Sequence, residues 1–223
     1  MKADRTAASA ADQPAQAPRQ RDSDRTQKAI LAAATAEFAE FGLGGARADR
    51  IAERAGVNKR LIFYYFESKE NLFSCVLQEA YRGIRNAEAQ LHLTGLVPVD
   101  AVRKLVEFTW NYYLEHPEFI KLLNSENLHR ARHISGSAAI QDVNLPLVQT
   151  LGEILERGRT QGVFRGGVDS VQLYISIAGL AYFYLSNNAT LSVIFGRDLH
   201  ATKALNERLS HITEVVLGYL VRS

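Results

Sequence analysis

"GVNKRLIFYYFESKENLF" (residues 56–73) is the stretch that decides how this chain reads. Two cations, Lys59 and Arg60, run into four consecutive aromatic residues, Phe63, Tyr64, Tyr65 and Phe66. Side chains share a helix face only at spacings of three and four, so no single helix can bury all four rings. Val57, Ile62 and Phe66 fall near helical spacing and are expected to anchor the segment, which leaves Lys59, Arg60, Tyr64 and Tyr65 pointing outward. Immediately upstream, "ADRIAERAG" (48–56) reads as a short helix with Ile51, Ala52 and Ala55 turned inward and Gly56 closing it. A short helix, the turn Gly56-Val57-Asn58 and a second short helix from Lys59 to about Tyr65 make a helix-turn-helix. In that motif one helix braces across the DNA backbone while the next lays its side chains along base edges in the major groove. Tyrosines left in water beside a basic pair then have phosphate and sugar to meet. Lys69 adds a cation at the start of the next helix, where free backbone amides already favour an anion. The plainer alternative is a solvated Lys-Arg pair and an aromatic run that is simply core. Periodicity alone does not separate the two.

Working outward, the chain reads as helix after helix, with no convincing alternating strand. A first helix is expected from a cap at Asp24, with Ile30, Ala34, Phe38 and Phe41 on one face and Gly42, Gly44 and Gly45 ending it. Ser68 caps a fourth helix running through Leu72, Val76, Leu77 and Tyr81 to about Leu91. "HLTGLVP" (92–98) breaks the pattern and divides the chain in two. Beyond it, Asp100 is expected to cap a fifth helix that stops at His116-Pro117, followed by a shorter sixth, "PEFIKLLNSENLHR" (117–130). A seventh covers about 139–159, an eighth runs from a cap at Asp169 to Asn187-Asn188, and a last covers about 201–221. The expectation is an all-α protein of about nine helices. It divides into a tail (1–22) read as disordered, an N-terminal three-helix helix-turn-helix domain (23–72) and a larger C-terminal helical ligand-binding and dimerisation domain (73–223).

Composition narrows the function classes. The 223 residues are 47% hydrophobic with a formal net charge of only +2, so nucleic-acid binding must rest on local charge. The lone cysteine, Cys75, can form neither an internal disulfide nor a cysteine-based zinc site, which fits a reducing cytoplasm. The N-terminus lacks the apolar core of a secretory signal. Val171 to Phe195 carries no charge, yet its strongly apolar part is shorter than the ~20 residues a membrane span needs, so no membrane partner is expected. No Ser-His-Asp arrangement, phosphate loop or dinucleotide fingerprint is visible, so neither an enzyme nor a cofactor is expected.

The residues quoted above carry a family resemblance. "TQKAILAAATAEFAEFGLGGARADRIAERAGVNKRLIFYYFESKENLFSCVL" (26–77) resembles the DNA-binding domain of TetR family transcriptional regulators. The matching pieces are "AILAAATAEFAEFG", "RIAERAGV" and "YYFESKENLF", and "LIFYYFESKE" is most similar to pyrimidine-utilisation-regulator-like members with "LLYYFPSKE". The resemblance implies that Arg47 contacts the DNA backbone, that Lys59, Arg60 and Leu61 face the bases, and that Tyr64, Tyr65 and Lys69 hold phosphates. Two departures stand out. Ala46 occupies a position where a capping Thr is usual, leaving that helix entrance less well satisfied, and Arg60 replaces a frequent Gly, which implies an additional base or phosphate contact and an operator sequence not carried over from the family.

The resemblance further implies a homodimer on a near-palindromic operator, released by a small-molecule inducer held in the C-terminal domain. In the eighth helix Ala178, Gly179 and Ala181 permit close approach of a partner, and with Leu209, Ile212, Val216 and Tyr219 of the last helix they form the expected four-helix dimer interface. Polar and aromatic candidates for the effector pocket are Trp110, Tyr113, Asn124, Asn127, Tyr174, Phe183 and Asn187, with Arg130 and His133 placed to pair with a carboxylate. Two rival readings remain. One is a constitutive DNA-binding protein without a sensor. The other is a metal-responsive regulator using Glu126, His129 and His133, whose spacing can share one helix side, although Ser135-Gly136 and two nearby arginines argue against it.

Overall fold

Where helices start and stop follows from caps and breakers within a few residues of each end. The computed structural model describes residues 18–221. Among these it forms nine α-helices: α1 (Pro18–Gly45), α2 (Ala48–Ala55), α3 (Lys59–Phe66), α4 (Lys69–Ala89), α5 (Pro98–Glu115), α6 (Pro117–Leu128), α7 (Ala138–Thr160), α8 (Ser170–Phe195) and α9 (Thr202–Leu220). A 3-10 turn at Leu93–Gly95 separates α4 from α5. Ser68 and Asp169 cap as their sequences suggest, accepting from Asn71 N at 3.0 Å and Gln172 N at 2.8 Å. Gly56 closes α2 in the left-handed region at φ 66°.

Three boundaries differ from expectation. Of the tail expected over 1–22, residues 1–17 lie outside the described residues, while residues 18–22 are the first turns of α1. Asp24 therefore lies inside the helix, which begins at Pro18. Asp100 sits in the first turn of α5 behind Val97 and Pro98 rather than at the cap. Asn187-Asn188 do not stop α8, because Asn187 Nδ2 donates to the Phe183 carbonyl at 2.8 Å and Ser192 Oγ donates to the Asn188 carbonyl at 2.7 Å. The helix runs on until Gly196 closes it at φ 60°.

Two cores result. In the head, Ile30, Ala34 and Phe38 of α1 meet Ile51 and Ala52 of α2, Ile62 and Phe66 of α3, and Leu72, Phe73, Val76 and Leu77 of α4. Leu122 of α6 is buried in that same core, so the body reaches into the head. Phe41, expected on the buried face of α1, is 42% exposed and lies under the Arg50 guanidinium at 4.1 Å. In the body, α5 packs between α8 and α9, burying Leu105, Trp110, Leu173, Ile177, Ala181, Ile212 and Val216 with Ile84 of α4 and Leu151 and Ile154 of α7. The division expected after residue 72 thus falls inside α4, which supplies side chains to both cores. Phe164 closes the far end of the body: it is fully buried on Gly158, and the adjacent Arg165 N donates to the Leu220 carbonyl at 2.8 Å, tying α9 to the loop after α7.

Candidate nucleic-acid interface and effector region

The entrance to α2 shows how the head is held. Arg47 is the cap residue, with extended backbone and no capping side-chain bond. Glu37 of α1, fully buried, supplies what the missing hydroxyl at Ala46 does not: its Oε1 accepts from Arg47 N at 3.0 Å and from Arg50 Nε at 2.6 Å. The entrance expected to be poorly satisfied is therefore capped from a neighbouring helix. Sequence reasoning missed Glu37. Its one signal was an acid beside Ala33, Ala34 and Phe38 on the apolar face of α1.

On α3, Asn58 Oδ1 accepts from Arg60 N at 2.9 Å and fixes the first turn. Ile62 and Phe66 anchor the helix, while Leu61 and Tyr65 are half-buried against the same core. Tyr64 stands 76% exposed with its ring edge-on to Tyr65, centroids 5.0 Å apart. Arg60 is exposed beside it. Lys59 Nζ lies 2.8 Å from Asp49 Oδ1, and Arg47 Nη2 lies 3.8 Å from Asp49 Oδ2, so one carboxylate holds both cations on this face. The Lys59 hydrogen bond holds the Asp49 carboxyl below the usual carboxylate range. Lys69 is turned back toward α2, its Nζ donating to the Ala46 carbonyl at 3.2 Å.

Head and body are latched through the turn after α6. Ser125 Oγ accepts from Leu43 N at 3.4 Å, and Ser74 Oγ donates to the His133 carbonyl at 3.0 Å. The buried Glu126 carboxylate organises the turn: Oε1 accepts from His133 N at 2.6 Å and Ile134 N at 3.1 Å, and Oε2 pairs with His133 Nδ1 at 2.7 Å. This overturns the metal reading of Glu126, His129 and His133. α6 ends at Leu128, so the three do not share a helix side, and both Glu126 oxygens are committed to protein donors. His129 Nδ1 is likewise taken by the Ser125 carbonyl at 2.7 Å. Among the described residues no three His, Cys, Asp or Glu side chains are grouped to hold a metal ion.

The expected effector residues do not converge on one space. Trp110 and Tyr113 are core; Asn127 and Arg130 are exposed at the end of α6; His133 is bound to Glu126; Phe183 is 58% exposed. Asn124 donates to Ser186 Oγ at 3.1 Å and accepts from the Tyr182 hydroxyl, while Asn187 bonds only its own helix. Tyr174 does face a polar feature, its hydroxyl accepting from Arg85 Nη2 at 2.6 Å. Beyond Arg85 lies a cavity of ≈250 Å³ between α4 and α7, with Glu88, Leu93, Val143 and Leu147 in its wall. Arg85 and Glu88 were overlooked because charges on an amphipathic helix read as solvent-facing. Their side chains are in fact 6% and 3% exposed, with Nη1 and Oε2 2.5 Å apart. Burial outweighs the attraction of Arg85 and pushes the Glu88 carboxyl up to about 7.

The expected dimer residues of α8 and α9 are divided between the inside of the chain and its surface. Ala181, Ile212 and Val216 are buried inside the protomer, and Ala178 and Leu209 are half-buried. Gly179 is exposed, and Tyr219 is 48% exposed. α5 takes the inward faces of α8 and α9, which leaves exposed an apolar stripe of Val171, Ile175 and Phe183 on α8, with Gly179 at the same four-residue step, and Val215 and Tyr219 on α9.

Comparison with known proteins fits this architecture. The family described as bacterial regulatory proteins, tetR family, matches residues 30–76, and a tetracyclin repressor-like C-terminal domain matches residues 98–216. The chain is 40% identical over 204 residues to the HTH-type transcriptional repressor NicS of Pseudomonas putida, covering 92% of this chain and 96% of that protein. It is 34% identical over 102 residues to the HTH-type transcriptional regulator RutR of Escherichia coli, covering 46% and 48%. Among solved structures, a TetR family transcription regulator from Marinobacter aquaeolei superposes with a TM-score of 0.69 over 92% of this chain and all of its own, at 20% identity, a likeness of fold. Among the described residues no helix is long and apolar enough to cross a membrane.

Proposed function

The chain belongs to the TetR family of bacterial regulatory proteins, and from that premise we propose that it is a cytoplasmic homodimeric repressor, released from its operator by a small molecule. The observation that carries this reading is α3: capped by Asn58, pinned by Ile62 and Phe66, and presenting Arg60 and Tyr64 to solvent. Arg60 reads base edges and Tyr64 stacks on the sugar-phosphate backbone. Arg47 and Lys59 exchange their shared Asp49 for phosphates. Lys69 exchanges the Ala46 carbonyl in the same way, while Leu61 and Tyr65 seat the helix. The outward stripe of α8 and α9 pairs with its two-fold copy, which sets two recognition helices about one DNA turn apart on a near-palindrome. Repression follows the reading of NicS as a repressor. The chain carries no catalysis in this scheme; its output is occupancy of DNA. The cavity beside Arg85 favours a sensing body over a constitutive DNA-binding protein.

The test is binding to DNA from upstream of the protein's own coding sequence across a salt series. Wild type should bind selectively, losing affinity with a log-log slope near 0.9 per phosphate contact. Tyr64→Ala should weaken binding about tenfold without lowering thermal stability, since the side chain is mostly in water. Binding indifferent to sequence and to Tyr64 would refute the reading.

A further inference from the structure

The turn between α6 and α7 carries two arginines that serve neither core. In the run His129-Arg130-Ala131-Arg132-His133, Arg130 and Arg132 are exposed. Among the described residues they donate only through their backbone N–H groups, Arg130 to the Asn127 carbonyl at 3.0 Å and Arg132 to the His129 carbonyl at 3.3 Å. The backbone there is strained: Arg130 and Ala131 stand in the left-handed region at φ 56° and 57°, and neither is glycine. Such strain persists only where its surroundings fix it, and it gathers at functional sites. Buried Glu126 fixes it here, its backbone carbonyl accepting from Ala131 N at 3.2 Å and its carboxylate from His133 N at 2.6 Å. The result is a rigid turn that holds two cations out in water.

The place of the turn gives those cations a use. Ser74 Oγ fastens it to α4 through the His133 carbonyl at 3.0 Å. At 1.5 Å per residue, Ser74 stands about 7.5 Å along the helix from Lys69. Arg132 lines one groove with Lys69, Glu70 and Asn71 at the start of α4 and with Leu43 and Gly44 at the end of α1. Both of these walls lead onto the face offered to DNA: Gly44 runs on to Ala46 and Arg47, and Lys69 Nζ bonds the Ala46 carbonyl at 3.2 Å. Glu70 is the one acid in the groove wall, set against Lys69 and Arg132.

We propose that the turn after α6 is a second DNA contact, made by the body. Arg132, with Arg130 beside it, neutralises backbone phosphates flanking those taken by Arg47 and Lys69, outside the base pairs that α3 reads. The assignment rests on the reading of the chain as a DNA-binding regulator. A guanidinium with no protein partner has nothing to break before it meets phosphate, whereas Lys59 and Arg47 must first leave Asp49. Duplex DNA carries one negative charge per ~1.7 Å of axis, so a cation beside the half-site meets phosphate whatever the sequence there. The contact therefore adds affinity and orientation without base preference. The turn is also latched to the head core, since the His133 ring meets Phe73 edge-on at 5.2 Å, so head and body reach the duplex in one fixed relation.

The test is binding of the full-length protein to upstream DNA, first as a long duplex and then as duplexes shortened stepwise from both ends. On the long duplex Arg132→Gln should weaken binding about tenfold and lower the log-log salt slope by about 1.8 for a dimer, one phosphate per protomer at ~0.9 each. On the shortest duplex that wild type still binds selectively, the two proteins should differ by less than about twofold, because the flanking phosphates are gone. Arg132→Lys keeps the charge and should recover most of the affinity. Arg159→Gln, an equal loss of charge near the end of α7, should change nothing on any duplex. All three variants should melt as wild type does, since both side chains stand in water. Undiminished binding by Arg132→Gln, or a loss that is the same at every duplex length, would overturn the proposal. If wild type binds selectively and Arg132→Gln equally well, the regulator stands and the second contact falls. If wild type itself has no selective affinity, the regulator reading falls and takes the second contact with it.

Discussion

The head and the body are built from the same material, amphipathic helices, but they are specified at different ranges. In the head, a left-handed Gly56, the Asn58 and Ser68 caps and the Ile62–Phe66 anchor act within a few residues of one another and leave one arrangement for α2 and α3. In the body, α8 is apolar nearly all round, and which side is buried is settled only when α5 packs across it. Local devices make a rigid reading head. Long-range packing makes a body with a cavity and a stranded ion pair. One protein thus keeps precision where it must match a fixed polymer and slack where it must respond.

The largest test of that contrast is at the far end of the body. Phe164 is fully buried and sits where a Cβ on Gly158 would come within 2.0 Å of its ring. Phe164→Ala should cost about 3–5 kcal/mol, read by denaturant unfolding, and the loss should appear as loosened α7 and α9 in hydrogen exchange before α3 is affected. Simultaneous loss of the head would break the two-region picture.

A smaller effect comes from Glu88. Its folded carboxyl is pushed up to about 7 from 4.5, so the folded state holds the proton more tightly than the unfolded chain does. Stability from this group is fully present below the unfolded value and is lost as pH rises through about 7, by up to about 3 kcal/mol between pH about 5 and about 8. Glu88→Gln should flatten that part of the pH profile. An unchanged slope would mean that Arg85 holds Glu88 ionised throughout.

The smallest effect sharpens the head side. Glu37→Ala removes the cap on Arg47 N and the Arg50 contact, at about 2 kcal/mol. Because the loss falls on α2, DNA binding should drop further than global stability does. Equal losses in both would show that head and body unfold as one unit.

These same places mark how far the sequence could be read. The helix-turn-helix, the Ser68 and Asp169 caps and the all-α architecture were legible because their causes lie within a turn of their effects. Glu37 was not, since it acts on a residue beyond its own helix. Arg85 and Glu88 share a face with Ile84 and Tyr81 at three- and four-residue steps, so their inward direction was written in the spacing but concealed by their charge. The dimer residues show the converse. A uniformly apolar helix names itself as buried without saying against what, and Ala181, Ile212 and Val216 went to the protomer's own core.

The continuity of α4 has a mechanical consequence. Lys69 and Arg85 lie on one unbroken helix, so at 1.5 Å per residue the lever between them is about 24 Å long. A tilt of about 5° at the Arg85 end moves the Lys69 end by about 2 Å, and in the proposed dimer two protomers tilting oppositely change their spacing by about 4 Å. On the proposed near-palindrome, whose half-sites lie about 34 Å apart, that is enough to take both recognition helices out of phase with the duplex while every hydrogen bond within them stays intact.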